Sequence, residues 1–424
     1  MRSARYRHSP IYFPQLISNN NEKLTRQEVN VNNKIAIAFI LLLTVIGQSA
    51  VDIYLPALPH MVHDLGTTQR AVQISLTTFF IGFAVSQLFY GPLSDQYGRK
   101  PILYFGLSVF LLGSLGCVLA PNAPVLILSR LVQGLGIGAA STLSRAISRD
   151  LFDGKALSQI SAYAAMSWAL IPIIAPLIGS YIQHYLGWRY IFGLLALFGA
   201  GLLLLLSTKI SETHPQPSAN QQSALRNYQT LITHPVFLVF SFCVLNLYGV
   251  FANFNLVGPF FIQELFNQSV IVYGWLIFFV AMGYLIGSFS SSRLVNHISV
   301  PAIIGLGCTG LFLVTLVFML LSLSGIQNLY TLVGAMFLIL LCSGLIYPQF
   351  ISQCLSPFPH IAGSAGALFG FMVFLGGTVF SLIISHLPHN SLTPYAILLF
   401  AQIVFLVVIN LLRTWLPSKT GLSD

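Results

Sequence analysis

The chain has 424 residues, of which 56% are hydrophobic and only 7% charged, where a soluble domain carries roughly 25% charged residues. That excludes a water-soluble globular core and reads as an integral membrane protein. The net charge of +9 does not call for a nucleic-acid partner, because the basic residues fall between apolar runs, where membrane topology places them.

Residues 1–33 are polar and Asn-rich, with Arg2, Arg5, Arg7, Lys23 and Arg26. They hold no apolar core, so they are no signal peptide; they are expected to be a disordered arm or a product of start-site choice. Twelve apolar spans follow, at 34–58, 71–92, 101–120, 124–148, 158–182, 188–208, 235–263, 270–291, 300–323, 328–350, 361–386 and 392–415. Each is near the ~20 residues that cross a bilayer. None alternates as a strand does, so helices satisfy the backbone in lipid.

The polar stretch 209–234, with Pro215 and Pro217, is expected to be a linker between two six-helix halves, 34–208 and 235–416, before a short tail at 417–424. Six plus six suggests a parallel repeat. The loop "GPLSDQYGRKP" after span two is echoed by "SSRLVNHISVP" after span eight. Cys117, Cys243, Cys308, Cys342 and Cys354 all fall in or beside apolar runs and read as small packing residues, not as a disulfide framework or a zinc site. Sixteen of the 19 Lys and Arg lie on the side shared by the termini and the even-to-odd loops; Arg70 and Arg189 lie opposite, and Arg130 is inside a span. The positive-inside rule then puts both termini in the cytoplasm.

Three stretches carry chemistry. In the loop Gly91 to Pro101, Gly91 and Gly98 permit a tight turn, Asp95 can approach a helix N-terminus, and Arg99 and Lys100 can pair with acids or lipid phosphate. The set can act as a latch that breaks when helices separate; the plainer reading is a basic loop with a turn. In "LSRLVQGLGIGAA" (128–140), the glycines lack G-x-G-x-x-G spacing and follow no strand, so they read as close helix packing and not as a dinucleotide loop. No G-x-x-x-x-G-K-[ST] occurs, so no ATP site is expected, nor any cofactor, metal or enzymatic activity. "WALIPIIAPLIGSYI" places Pro172, Pro176 and Gly179 in span five, where they allow bending and close packing.

These stretches together resemble the major facilitator superfamily. Residues 91–101 resemble its signature loop, Arg130, Gln133 and Gly134 its fourth-helix motif, and Pro172, Pro176 and Gly179 the fifth-helix motif of its antiporter branch, although Ser180 stands where a second glycine is common. "DIYLPALP", "GWRYIF" and "VGPFFIQELF" narrow the resemblance to the bicyclomycin-resistance-like (Bcr/CflA) drug/proton antiporters. It extends over about residues 34–416. It implies an all-α fold of twelve transmembrane helices in two halves, alternating access, and proton coupling through a first-helix acid and the fourth-helix arginine.

Asp52 is the acid in question. It lies roughly 10 Å below the outer end of span one, and Arg130 roughly 9 Å below the outer end of span four, at 1.5 Å per residue. A lone charge at such depth is costly, so the two should pair or face a wet cavity. A structural ion pair is one reading. The other is that Asp52, balanced between desolvation and a cation, takes and releases a proton. Thr44, Gln48 and Asp52 form an i, i+4, i+8 stripe. With Gln133, with Asn246 and Asn253 two turns apart, and with Phe254 and Phe374, that stripe is expected to wall a central substrate cavity. Glu264, beside Gln263, is a candidate second proton site. His60, His63 and Asp64 read as surface residues, with a metal site as the alternative. Trp188 and Arg189 read as interfacial anchors.

The expected function is proton-coupled export of small lipophilic or amphipathic compounds (multidrug or antibiotic efflux) by a monomer in a bacterial inner membrane. The alternatives are a proton-coupled transporter of an endogenous metabolite, such as a siderophore, sugar or amino-acid derivative, and a non-transporting receptor on the same fold.

Overall fold

Twelve helical spans are long and apolar enough to cross a membrane in the computed structural model, which describes residues 19–213, 221–388 and 390–412. The N-terminal half holds α1 (Asn19–Asp52), the short α2 (Leu58–Asp64), α3 (Gln69–Tyr97), α4 (Arg99–Val118), α5 (Ala123–Leu151), α6 (Gly154–Tyr185) and α7 (Trp188–Thr208). The C-terminal half holds α9 (Pro235–Phe260), α10 (Val270–Leu294), α11 (Val300–Leu323), α12 (Leu329–Leu355), α13 (Ala362–Ile384) and α14 (Thr393–Leu412). Between them lies α8 (Gln221–Thr233). The apolar side chains turned outward, among them Leu112, Leu197, Leu204, Leu306 and Phe405, form the lipid-facing belt.

Several helices run past the hydropathy limits; α3, for example, continues to Tyr97, because hydropathy marks the hydrocarbon depth and not the last backbone hydrogen bond. The first half of the expected arm, 1–18, lies outside the described residues, as does 413–424. From Asn19 the backbone is already helical and runs into α1, which corrects the expectation of a disordered arm over that part: extending a nucleated helix costs little per residue. The linker also differs from expectation. Its residues 221–233 form α8, whose inner side buries Leu231 while the Tyr228 hydroxyl donates to Leu88 O at 3.1 Å and Asn227 donates to Ser364 Oγ at 3.3 Å. Burial, with the Asp95 carboxylate adding to it, pushes the Tyr228 phenol up to about 12, so it stays a protonated donor. The helix thus bonds to both halves.

The two halves repeat one plan. Thr68 and Ser269 cap the second membrane helix of each half, accepting from Ala71 N at 3.2 Å and Val272 N at 3.3 Å; Asn122 and Asn328 cap the fourth, accepting from Val125 N at 3.1 Å and Thr331 N at 2.9 Å. Such side-chain caps replace the partners that a helix start lacks. The halves meet along α3–α13 and α6–α10, each pairing the second helix of one half with the fifth of the other. At the first seam Phe83 stacks on Phe374 with centroids 3.9 Å apart. At the second, Ser180 of α6 fits against Gly274 of α10, where a Cβ would lie 2.5 Å from the Ser180 hydroxyl. The departure at Ser180 is therefore met by a glycine across the seam.

The second seam is packed only toward the face away from α8, called here the far face; the opposite one is the basic face. In α6, residues 173–185 bury Ile173, Ala175, Pro176, Gly179, Ser180 and Gln183, while 154–172 bury Ile160 alone. The change falls at Pro172 and Pro176, whose missing N–H groups remove two helix bonds. Trp188, expected as an interfacial anchor, is instead 1% exposed and donates its indole N–H to Asp64 at 2.9 Å, while Arg189 stacks on its ring and donates to Ala120 O at 3.1 Å. A buried indole needs a partner for its one donor, and Asp64 supplies it.

Candidate functional site

Helix α1 ends at Asp52, and a 3-10 turn over Leu55–Ala57 follows. Pro56 has no N–H to return to the carbonyl of residue 52, so the helix cannot continue regularly there. Gly179 of α6 presses on this break: a Cβ at 179 would lie 1.7 Å from Ile53 O. The acid is thus fixed at a helix terminus whose position is set by backbone-to-backbone contact.

Asp52 is 1% exposed. Its Oδ2 accepts from Gln48 Nε2 at 2.8 Å and its Oδ1 from Asn255 Nδ2 at 3.1 Å. Gln48 is one turn earlier on α1; Asn255 belongs to α9 in the other half. Among the described residues no cation lies within ion-pair distance of Asp52.

The expected Asp52–Arg130 pair is therefore not formed. Arg130, fully buried, donates from Nη1 to Ala50 O at 3.1 Å and to Gln133 Oε1, while Gln133 Nε2 donates to Ser114 Oγ at 2.8 Å. Its guanidinium lies 4.3 Å from the Tyr54 ring centroid and 4.1 Å from that of Phe79. Nε and Nη2 have no hydrogen-bond partner among the described residues. The two residues do meet the same end of α1, but residues 50 and 52 point about 200° apart around a helix. Arg130 reaches a terminal carbonyl on one side, where the helix dipole is negative; the Asp52 carboxylate leaves on the other, toward the second half. Depth was readable from the sequence, and azimuth was not.

The expected cavity walls need the same correction. Gln48 lies at the seam, but the Thr44 hydroxyl returns to Ile40 O at 3.0 Å. Gln133 faces the interior of its own half. Asn253 donates to Gln402 Oε1 at 2.9 Å and Gln402 donates to Asn246 O at 2.9 Å, which turns that face of α9 inward onto α14. Phe254 packs on Gly258 of its own helix, and Phe374 closes the α3–α13 seam against Phe80, Phe83 and Tyr248. The seam-facing stripe of α9 is instead Tyr248, Phe251 and Asn255, at i, i+3 and i+7. Its spacing equals that of Asn246 and Asn253, and only the larger count of polar atoms favoured the wrong stripe.

Tyr248 and Phe251 line a cavity of about 60 Å³ with Trp168, Ala169 and Pro172 of α6, Ala281 and Tyr284 of α10, and Leu340, Ser343 and Tyr347 of α12. It sits between the halves beside the loosely packed part of α6. Two polar atoms in this aromatic lining, Tyr248 Oη and Ser343 Oγ, have no partner among the described residues.

The loop motif is held within one half. Arg99 pairs with Asp95 and donates from Nε to Asp150 Oδ2 at 2.9 Å and from Nη1 to Ser94 Oγ at 2.7 Å. Glu212, which sequence reading passed over, accepts from the backbone N–H groups of Arg99 and Lys100, both at 2.9 Å. It caps α4 across a turn that Gly98 makes at φ +93°, where a Cβ would come 2.8 Å from the Glu212 carboxylate. Gly91 and Asp95 line a larger chamber at the basic face. Glu264 is exposed at the far face near His63, away from Asp52; the neighbouring Gln263 donates to Pro56 O at 2.9 Å across the seam.

Two six-helix halves, with a buried acid and an aromatic cavity at their common seam, define a membrane carrier of the alternating-access type. The model of the Major Facilitator Superfamily matches residues 37–381, and the chain belongs to that family. Multidrug resistance protein D of Escherichia coli (strain K12) is 27% identical over 398 residues, covering 94% of this chain and 98% of the relative. A bicyclomycin resistance protein homolog of Haemophilus influenzae is 26% identical over 370 residues, covering 87% of this chain and 93% of the relative. A crystal structure of a D-xylose-proton symporter superposes with a TM-score of 0.68 at 16% identity, covering 91% of this chain and 97% of that one; at that identity the likeness concerns the fold.

Proposed function

We propose that this protein is an efflux transporter that exports small lipophilic or amphipathic, drug-like compounds in exchange for protons, with the basic face toward the cytoplasm of a bacterial cell. The relatives named for multidrug and bicyclomycin resistance support the substrate class. The aromatic lining of the seam cavity supports it as well, since apolar ligands with a few polar groups bind such surfaces. The cavity's 60 Å³ is smaller than the 300–1,000 Å³ typical of ligand pockets, so substrate entry requires movement of α6 about Pro172 and Pro176.

One observation carries the coupling. Asp52 is the buried acid at the seam, its carboxylate is satisfied by neutral amides from both halves, and among the described residues no guanidinium pins its charge. When the halves part at the far face, Asn255 withdraws and the carboxyl meets water from that side. A proton taken there and released on the opposite side, at 100 mV, supplies about 2.3 kcal/mol per charge, enough for roughly a 40-fold gradient. Arg130 holds the α1 terminus in place, and the Arg99–Asp95–Asp150 cluster keeps α3, α4 and α5 moving as one body. Asp52→Asn tests the reading: in proteoliposomes it should abolish substrate movement driven by a proton gradient while leaving substrate binding measurable. Undiminished gradient-driven flux would refute the proton role.

A further inference from the structure

The lining of the seam cavity carries the rings of Trp168, Tyr248, Phe251, Tyr284 and Tyr347 and, among the described residues, no charged side chain. Asp52 is outside this lining, and both its carboxylate oxygens are engaged, by Gln48 and Asn255. A cation entering the cavity would meet no free counter-charge. An unpaired charge buried in an apolar site is costly.

Two hydroxyls of the lining are buried without a partner. Tyr248 is 3% exposed and Ser343 6%, and neither Tyr248 Oη nor Ser343 Oγ has a hydrogen-bond partner among the described residues. Other buried hydroxyls in these helices return to a carbonyl one turn back, as Ser49, Thr315 and Thr378 do at 2.9, 2.8 and 3.0 Å; Ser343 makes no such bond. An unsatisfied buried hydroxyl costs free energy, and a ligand that bonds it removes that cost. Aromatic faces attract cations, so the rings alone would suit a flat cation as well as a flat neutral molecule. The hydroxyl pair separates the two, because a site with buried polar atoms rejects a ligand that cannot bond them.

Resting on the efflux reading and narrowing it, we infer that the seam cavity selects uncharged aromatic compounds that present a hydrogen-bonding group, such as a carbonyl, to Tyr248 and Ser343, and rejects permanent cations of the same shape. The rings of such a compound lie between Trp168 of the N-terminal half and the tyrosines of the other half. Its binding therefore ties α6 to α9 and α12.

Acridone and N-methylacridinium are the probes. They share one fused-ring shape, but acridone is uncharged and carries a carbonyl, whereas N-methylacridinium is a permanent cation with no hydrogen-bonding group. Binding to the full chain in zwitterionic nanodiscs is followed by fluorescence titration, with protein-free nanodiscs as the blank for partition into lipid. Acridone should bind about tenfold or more tightly than the cation, as two hydrogen bonds made by one probe alone require. Tyr248→Phe and Ser343→Ala should each weaken acridone by about 2- to 10-fold, the loss of one neutral hydrogen bond, and leave the cation unchanged. Ser343→Asp, which places a carboxylate in the lining, should reverse the preference. Asp52→Asn should leave the ratio of the two affinities as it was. Equal or tighter binding of the cation, an acridone affinity that survives both hydroxyl variants, or a ratio set by Asp52 would overturn the inference and leave drug efflux standing. Failure of both probes to bind overturns it as well; if gradient-driven flux of every drug tested is then also absent, the efflux reading fails with it.

Discussion

Replacing Asn255 by alanine removes the hydrogen bond that, among the described residues, joins Asp52 to the other half, 3.1 Å from Nδ2 to Oδ1. A hydrogen bond to a charged group contributes about 1.5–3 kcal/mol, and 1.4 kcal/mol is a factor of ten. In the proposed cycle the bond is made only while the far face is closed, so its loss should shift the ratio of closed to open molecules by about 10- to 100-fold toward open. Spin labels at His60 and Asn390, exposed positions of the two halves near the far face, would report the shift as a longer distance population by pulsed electron resonance. The five native cysteines are buried and leave cysteine-directed labels specific. Asn253→Ala is the matched control: it cuts the bond to Gln402 inside the C-terminal half and should lower stability without moving the distances. If the Asn255 variant kept the parent distribution, or if both variants shifted it equally, the assignment of Asn255 as the tie between the halves would be wrong.

Tyr248→Phe removes a buried hydroxyl that has no hydrogen-bond partner among the described residues. The unfolding midpoint should stay the same or rise, while KM for substrates carrying a polar group increases; a clear loss of stability would show that the hydroxyl is bonded within the protein. Glu212→Gln exchanges one acceptor of the α4 cap for a donor facing a backbone N–H, and should cost about 1–2 kcal/mol, read as a drop in the thermal midpoint with KM unchanged. An unchanged midpoint would rule out a capping role for Glu212.

The number of spans, their division into halves and the identity of the buried acid could all be read from the chain by itself. Those features depend on composition and one-dimensional spacing: lipid demands about 20 apolar residues per crossing, and a carboxylate within such a run stands out against it. Glu212 and α8 were harder to see. Glu212 lies in a polar stretch and acts on a turn 112 or 113 residues earlier, at Arg99 and Lys100. The inward side of α8, Tyr228 and Leu231, is diluted by polar neighbours.

Only the folded molecule decided which way each polar side chain points. Asp52 and Arg130 share a depth, yet one faces the seam and the other the interior of its own half; Asn253 and Asn255 lie two residues apart on α9 and serve α14 and Asp52 respectively. Hydropathy and rise per residue fix position along a helix axis. Rotation about that axis is set by neighbouring helices through contacts such as Gly179 on Ile53, and those join residues far apart in the chain.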